Sequence, residues 1–282
     1  MDGILLINKP KDMTSRDVVN ILTKLLHTKK IGHTGTLDPI ATGVLVICIG
    51  KYTKLCDLLT STYKDYIATI KLGIKTDTGD ITGNIINKKD YSITKEELMS
   101  VLKSFLGESI QEVPIYSAVK VNGKKLYEYA RANEKVELPK RKINITNIEL
   151  LSFNKDEITF KTTVSKGTYI RALIEDICKK LNTVGTMSDL QRTKQGQFII
   201  EDTYTLEDIE NNNYKMLSIE EVLKDLEWVE IPKNLSNLVH NGAIINKIFK
   251  NDIACLTENN KIIAIYKTYD KDSKKAKPYI ML

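Results

Sequence analysis

What most constrains this chain is that its apolar rhythm keeps changing. Residues 3–8, built on the apolar run 4–7, and the unbroken apolar run 44–49 are expected as buried strands, and residues 66–72 are strand-like. Residues 143–153 and 157–165 alternate with period two and read as paired strands. Between these lie stretches of period 3.6. Val18, Val19, Ile21, Leu22, Leu25 and Leu26 predict a helix behind an N-cap at Ser15. Further helices are expected at 96–105, ended by Gly107, at 126–132, at 169–181, and through Leu55, Leu58 and Leu59. Asn122-Gly123 behind residues 118–121 predicts a tight hairpin turn. No regular strand–helix–strand alternation appears. The pattern therefore predicts an α+β fold, with a central mixed or largely antiparallel sheet flanked by helices.

The last quarter reads differently. A short helix is expected over 218–226, then a linker at 227–233. Short strands follow at 253–256, 262–266 and 279–282, with a lysine-rich stretch at 267–277. This tail is too small for an independent catalytic unit. The expected division is a catalytic domain at 1–228 and a small β domain at 229–282.

Composition excludes several classes. The longest apolar stretch is six residues, against about 20 needed to span a bilayer. The first ten residues lack the basic leader and long apolar run of a signal peptide. Cys48, Cys56, Cys178 and Cys255 form no CxxC pair, so reduced core thiols are expected. His27, His33 and His240 have no cysteine partners at zinc-finger spacing, and no metal is expected. A cytoplasmic location follows from these readings. The net charge is +6, and of 42 basic residues only five are arginines: Arg16, Arg131, Arg141, Arg171 and Arg192. Lysine suits diffuse attraction to phosphates, so any bidentate contact must come from those few arginines.

Residues 32–45 read Gly-His-Thr-Gly-Thr-Leu-Asp-Pro-Ile-Ala-Thr-Gly-Val-Leu. Residues 32–43 have no apolar period and read as a loop. Pro39 keeps Asp38 out of the helical region, placing its carboxylate on a stiff turn. A loop that carries His, Thr and Asp between apolar elements is a common location for chemistry. A plain turn with a surface histidine fits the residues equally. A phosphate-binding Walker loop is excluded, because no Gly-Lys-Ser/Thr closes the segment.

The segment resembles the signature of the TruB-type tRNA pseudouridine synthases. Further matches occur in family order: Leu5-Leu6-Ile7-Asn8-Lys9-Pro10, Tyr66, Leu72-Gly73, and Thr76-Asp77-Thr78-Gly79-Asp80. They continue with Pro114-Ile115-Tyr116-Ser117-Ala118-Val119-Lys120, Gly123 to Arg131, and Ser165-Lys166-Gly167-Thr168-Tyr169-Ile170-Arg171. Together they span roughly residues 3–200. The resemblance implies the pseudouridine-synthase fold and conversion of the uridine at position 55 of the tRNA T loop to pseudouridine.

It also implies roles. Asp38 is the expected nucleophile and Arg171 the cation beside it. Tyr66 is expected to stack on the target base and to help remove the C5 proton. Tyr169 and Leu190 line the uracil pocket. His33 fills the space left when the base is extruded, a step costing a few kcal/mol. Lys9, Lys120, Lys124 and Lys125 are candidate phosphate contacts. Leu190-Gln191-Arg192 resembles a pocket-closing segment that usually carries two arginines, from which Gln191 departs. Asp77 and Asp80 lack the EF-hand ladder and read as loop-shaping residues. The tail resembles a PUA-type RNA-binding module.

The reaction is an isomerisation, so no cofactor is expected. The expected partner is tRNA through its T-arm stem-loop. Neither a membrane nor an obligate protein partner is expected, and the chain is expected to be a monomer. Two rivals differ in predicted residues. A retaining glycosidase would need a second carboxylate about 5 Å from Asp38, and the loop contains none. A non-catalytic tRNA-folding protein would have lost the nucleophile, and Asp38 is present. Such a folding activity can accompany catalysis.

Overall fold

The computed structural model describes residues 1–60 and 63–282. Strands Gly3–Lys9 and Thr42–Ile49 pair antiparallel and are covered on both faces. Leu5, Ile7, Leu45, Ile47 and Ile49 meet Val18, Val19 and Leu22 of helix Ser15–Leu25 on one side. Ile4, Leu6, Val44, Val46 and Cys48 meet Leu55, Leu59, Phe198 and Val222 on the other, together with Cys255, Ile262 and Ile265 of the C-terminal sheet. Strands buried on both faces need apolar side chains at successive positions, which is why residues 4–7 and 44–49 are unbroken apolar runs.

The central sheet runs in the order Gly3–Lys9, Thr42–Ile49, Gly185–Gln195, Lys64–Leu72, Glu157–Val164, Lys140–Phe153 and Gly107–Glu112, with Ile31–His33 and Phe198–Ile199 attached. All its strand pairs are antiparallel except one. Gly185–Gln195 runs parallel to Thr42–Ile49, through Gln191 opposite Thr42 and Arg192 opposite Gly43. That approach is close: Gly43 has φ +99°, and a Cβ there would lie 2.2 Å from the Arg192 carbonyl oxygen. Only glycine fits. Helices Lys95–Lys103 and Ile170–Lys180 cover the other half of the sheet. Their Leu98, Leu102, Leu173, Ile174 and Ile177 pack with Ile70, Ile143, Ile158 and Phe160.

The mixed α+β architecture agrees with the sequence pattern, as does the hairpin, whose Asn122 and Gly123 both have positive φ. Two local readings change. Thr14, not Ser15, caps the first helix. Its side chain accepts from Asp17 N while Asp17 Oδ2 accepts from Thr14 N (2.9 Å). The expected linker at 227–233 contains a strand, Glu227–Glu230, which pairs parallel with Ile253–Glu258. Burial against the preceding helical turn, where the Trp228 indole donates to the Leu223 carbonyl (3.0 Å), draws it into the fold.

That strand begins a five-stranded, PUA-like C-terminal sheet, in the order Glu227–Glu230, Ile253–Glu258, Lys261–Tyr269, Asp272–Met281 and Ile245–Asn246. The lysine-rich stretch falls in the hairpin formed by Lys261–Tyr269 and Asp272–Met281. Ala264, Tyr266 and Ala276 are buried in the core of this sheet, while Lys271, Lys274 and Lys275 are exposed and Lys267 and Lys277 half-buried. All four cysteines are free. Among the described residues no helix is long and apolar enough to cross a membrane.

Candidate active site

Asp38 sits in the loop between Ile31–His33 and Thr42–Ile49, and that loop is tethered on several sides. The Ser15 hydroxyl, released from capping, accepts from Leu37 N–H (2.9 Å) and donates to the Leu37 carbonyl (3.4 Å). Lys9 has no exposed surface, and its ammonium donates to the carbonyls of Pro10 (2.7 Å), Met13 (2.6 Å) and Pro39 (3.2 Å). Arg192, 1% exposed, donates from Nε to the Val44 carbonyl (2.7 Å) and from Nη2 to the Gly35 carbonyl (3.1 Å). The Gln195 amide donates to Thr34 Oγ1 (2.5 Å). Clamped at Thr34, Gly35, Leu37 and Pro39, the loop holds its carboxylate with little freedom.

Across from it stands Arg171, the second residue of helix Ile170–Lys180. Nε lies 2.9 Å from Asp38 Oδ2, and Nη2 donates to Oδ1 at 3.0 Å. This is a two-point, fork-to-fork contact that fixes the plane of the carboxylate. The same guanidinium donates to the carbonyls of Thr78 and Tyr116, each at 2.9 Å. Four of its five N–H groups are engaged. The Arg171 side chain is 7% exposed and that of Asp38 30%, so the cation is buried while the carboxylate keeps an open side. A buried charge missing this compensation would be costly. The Thr78 carbonyl is itself held by a compact loop in which Asp80 Oδ1 accepts from the Thr78 hydroxyl (3.0 Å) and from Thr82 N–H (3.0 Å).

Other sequence-predicted residues lie on neighbouring elements. Tyr66, 7% exposed, and Leu190, 4% exposed, come from adjacent strands and share one apolar cluster with Leu37. Tyr169 caps the helix that carries Arg171 and is half-buried. His33 ends its short strand next to the loop, with a buried Nδ1 that lacks a hydrogen-bond partner. Burial, with Arg16 and Arg192 nearby, pushes its pKa below the usual histidine value.

Lys9 differs from expectation. Fully buried and donating to three carbonyls, it has no surface with which to meet a phosphate; it braces the Asp38 loop instead. Burial lowers its pKa to about 8, against the opposing pull of Asp38. Lys124 is paired with Glu134 (2.7 Å) and lies over the Tyr129 ring, while Lys125 lies over Tyr127.

Comparison with known proteins now bears on this geometry. Residues 23–170 match the model of the TruB family pseudouridylate synthase N-terminal domain, and residues 171–229 match the tRNA pseudouridylate synthase B C-terminal domain. The chain belongs to the TruB family. Its relatives include a tRNA pseudouridine synthase B of Clostridium tetani, 44% identical over 94% of this chain and 95% of the relative. Another, from Bacillus cytotoxicus, is 40% identical over 100% of this chain and 97% of its own length. Among solved structures, a chain of a Cbf5-Nop10-Gar1 complex superposes with TM-score 0.71 at 26% identity, covering 94% of this chain and 78% of that one. A chain of the H/ACA RNP bound to a substrate RNA containing 2′-deoxyuridine shares the fold, with TM-score 0.71 at 23% identity and coverage of 99% and 84%.

For this TruB-family chain, sequence reasoning missed three kinds of participant. Ser15 reads from the sequence as a helix cap, and its separation of 22 residues from Leu37 leaves no local signal of the contact. The carbonyls of Thr78 and Tyr116 lie inside motifs that were recognised, but a backbone acceptor has no side-chain signature. Arg192 was noted only as part of a pocket segment; its conversion into a loop brace depends on the parallel pairing with Gly43.

Proposed function

We propose that this chain isomerises the uridine at position 55 of the tRNA T loop to pseudouridine, with Asp38 as the nucleophile. As a member of the TruB family it is an isomerase acting on uridine in tRNA. The observation that carries the finer reading is the Asp38–Arg171 pair, a half-open carboxylate held in plane by a buried guanidinium. The reaction breaks the C1′–N1 glycosidic bond, turns the base, joins C5 to C1′, and moves the C5 proton off while N1 gains one. Atoms and electrons balance with no external reagent.

Asp38 carries this chemistry by attacking C1′, or by stabilising charge there in a glycal-type route. Its two-point contact with Arg171 fixes the plane of the carboxylate and aims it. Tyr66, Tyr169 and Leu190 form the base pocket, with Tyr66 assisting C5 deprotonation. His33 contacts substrate in the space vacated by the extruded base. Its depressed pKa keeps it neutral at pH 7, which suits packing against bases rather than pairing with phosphate.

The division into a catalytic body, about 1–228, and an appendage, about 229–282, belongs to the same proposal. The small sheet starts slightly earlier, at Glu227. We read the enzyme as a cytoplasmic monomer without an obligate protein partner. A tRNA-folding activity can accompany catalysis, because the lysine-rich surface suits a polyanion.

The deciding experiment is tritium release from tRNA labelled at uridine C5. Asp38→Asn should release no tritium while tRNA affinity stays within about an order of magnitude; turnover in that variant rejects the nucleophile assignment. A T-arm stem-loop should serve as substrate. Affinity should fall steeply with salt, as lysine–phosphate contacts release counterions.

A further inference from the structure

The outermost strand of the central sheet, Gly107–Glu112, is exposed at every residue except one. Gln111 is 3% exposed, and its carboxamide forms a closed ring with the backbone of Tyr169, 58 residues away. Tyr169 N–H donates to Gln111 Oε1 (2.8 Å), and Gln111 Nε2 donates to the Tyr169 carbonyl (3.1 Å). The amide orientation follows from the partners, since a backbone N–H can only donate and a carbonyl only accept. The side chain thus acts on Tyr169 as a neighbouring strand would.

Tyr169 is where such support is needed. It caps helix Ile170–Lys180 with extended backbone (φ −102°, ψ 117°), and no side-chain cap closes that helix. Arg171 follows two residues later. Beyond Gln111 the chain runs to Tyr116, whose carbonyl accepts from Arg171 Nη2 (2.9 Å). Gln111 therefore joins the start of the arginine's helix to the segment that receives the arginine's outer nitrogen. Moving either end would move the guanidinium that holds Asp38.

We propose that Gln111 is a positioning residue for the isomerisation, setting the Tyr169 main chain and, through it, the alignment of Arg171 with Asp38. This rests on the assignment of Asp38 as nucleophile. Only a group with a donor and an acceptor in one plane can make the ring. An amide does so at every pH, and a carboxylic acid does so only when protonated. An ionised carboxylate loses the donor and sets an oxygen against the Tyr169 carbonyl. Gln111→Glu is therefore an isosteric replacement whose ring is under proton control.

The test is single-turnover tritium release at saturating enzyme, beside tRNA binding and thermal unfolding, for wild type, Gln111→Ala, Gln111→Glu and Asp38→Asn. Misalignment at a reacting centre is expected to slow Gln111→Ala roughly 10- to 100-fold, with tRNA affinity within about threefold, as the positioning role requires. The rate of Gln111→Glu relative to wild type should rise as pH falls from 8 to 5.5. A Gln111→Ala rate within threefold of wild type overturns the proposal. So does a Gln111→Glu to wild-type ratio that is flat with pH, which decides the matter alone should the alanine variant fail to fold. Activity in Asp38→Asn would instead reject the nucleophile reading, so the two failures are distinguishable.

Discussion

The site around Asp38 and the lysine-rich hairpin of the C-terminal sheet use cations in opposite ways. At the first, Arg171 and Arg192 are buried and their donors go to named carbonyl and carboxylate oxygens. At the second, Lys267 lies over the Tyr279 ring at 5.1 Å and Lys277 over Tyr269 at 5.6 Å, and Lys274, Lys275 and Tyr279 are exposed. The lesson is one of geometry. A planar, forked cation fixes the direction of a reactive group, while a flexible point charge offers attraction without direction.

Arg171→Lys tests this contrast most severely. The charge survives but the fork is lost, so single-turnover tritium release should fall by on the order of 10²–10³-fold. Near-wild-type rates would mean that charge alone suffices and that the two regions do not differ in kind. Next comes Lys9→Met, which keeps the bulk but strips three carbonyls of their donor. Unfolding free energy in urea should drop by about 2–4 kcal/mol, and unchanged stability would remove the bracing role.

On the hairpin, Lys267→Ala combined with Tyr279→Ala should weaken tRNA binding only about two- to tenfold and flatten its salt dependence by roughly one counterion. The rate at saturating enzyme should hold. A fall in that saturating rate would show that the hairpin also directs chemistry.

The smallest effect is expected at His33. Its folded pKa lies below the ordinary value of 6.5, so the unfolded chain binds the proton more readily. The associated stability is fully present above about pH 6.5 and diminishes as pH falls below it. His33→Gln should therefore lose less thermal stability than wild type between pH 6.5 and 5. Equal losses would contradict the burial of the imidazole.

Much of this was legible in the residues. Buried strands announced themselves as apolar runs, and the Asp38 loop as glycine, proline and polar residues without a period. The resemblance singled out Asp38 and Arg171, which the fold brings into contact across 133 positions. What stayed hidden depends on packing between distant segments. Lys9 resembles any lysine of a basic protein until the fold buries it. Glu227–Glu230 is four residues long and half of them are charged, so its role as a strand follows only from the neighbour at Ile253–Glu258. Gln111 is one polar residue in a polar strand, and nothing local marks it as the one turned inward.

The parallel pairing of Arg192 with Gly43 has a consequence for how the molecule comes into being. The Asp38 loop is completed by partners that lie 133 to 161 positions further along: Arg171, Arg192 and Gln195. Contacts of such sequence separation form late and slow the search for the native state. A chain emerging from the ribosome has only the Ser15 and Lys9 tethers on its carboxylate loop until nearly 200 residues have been made. The reactive centre becomes organised only when the central sheet closes around it.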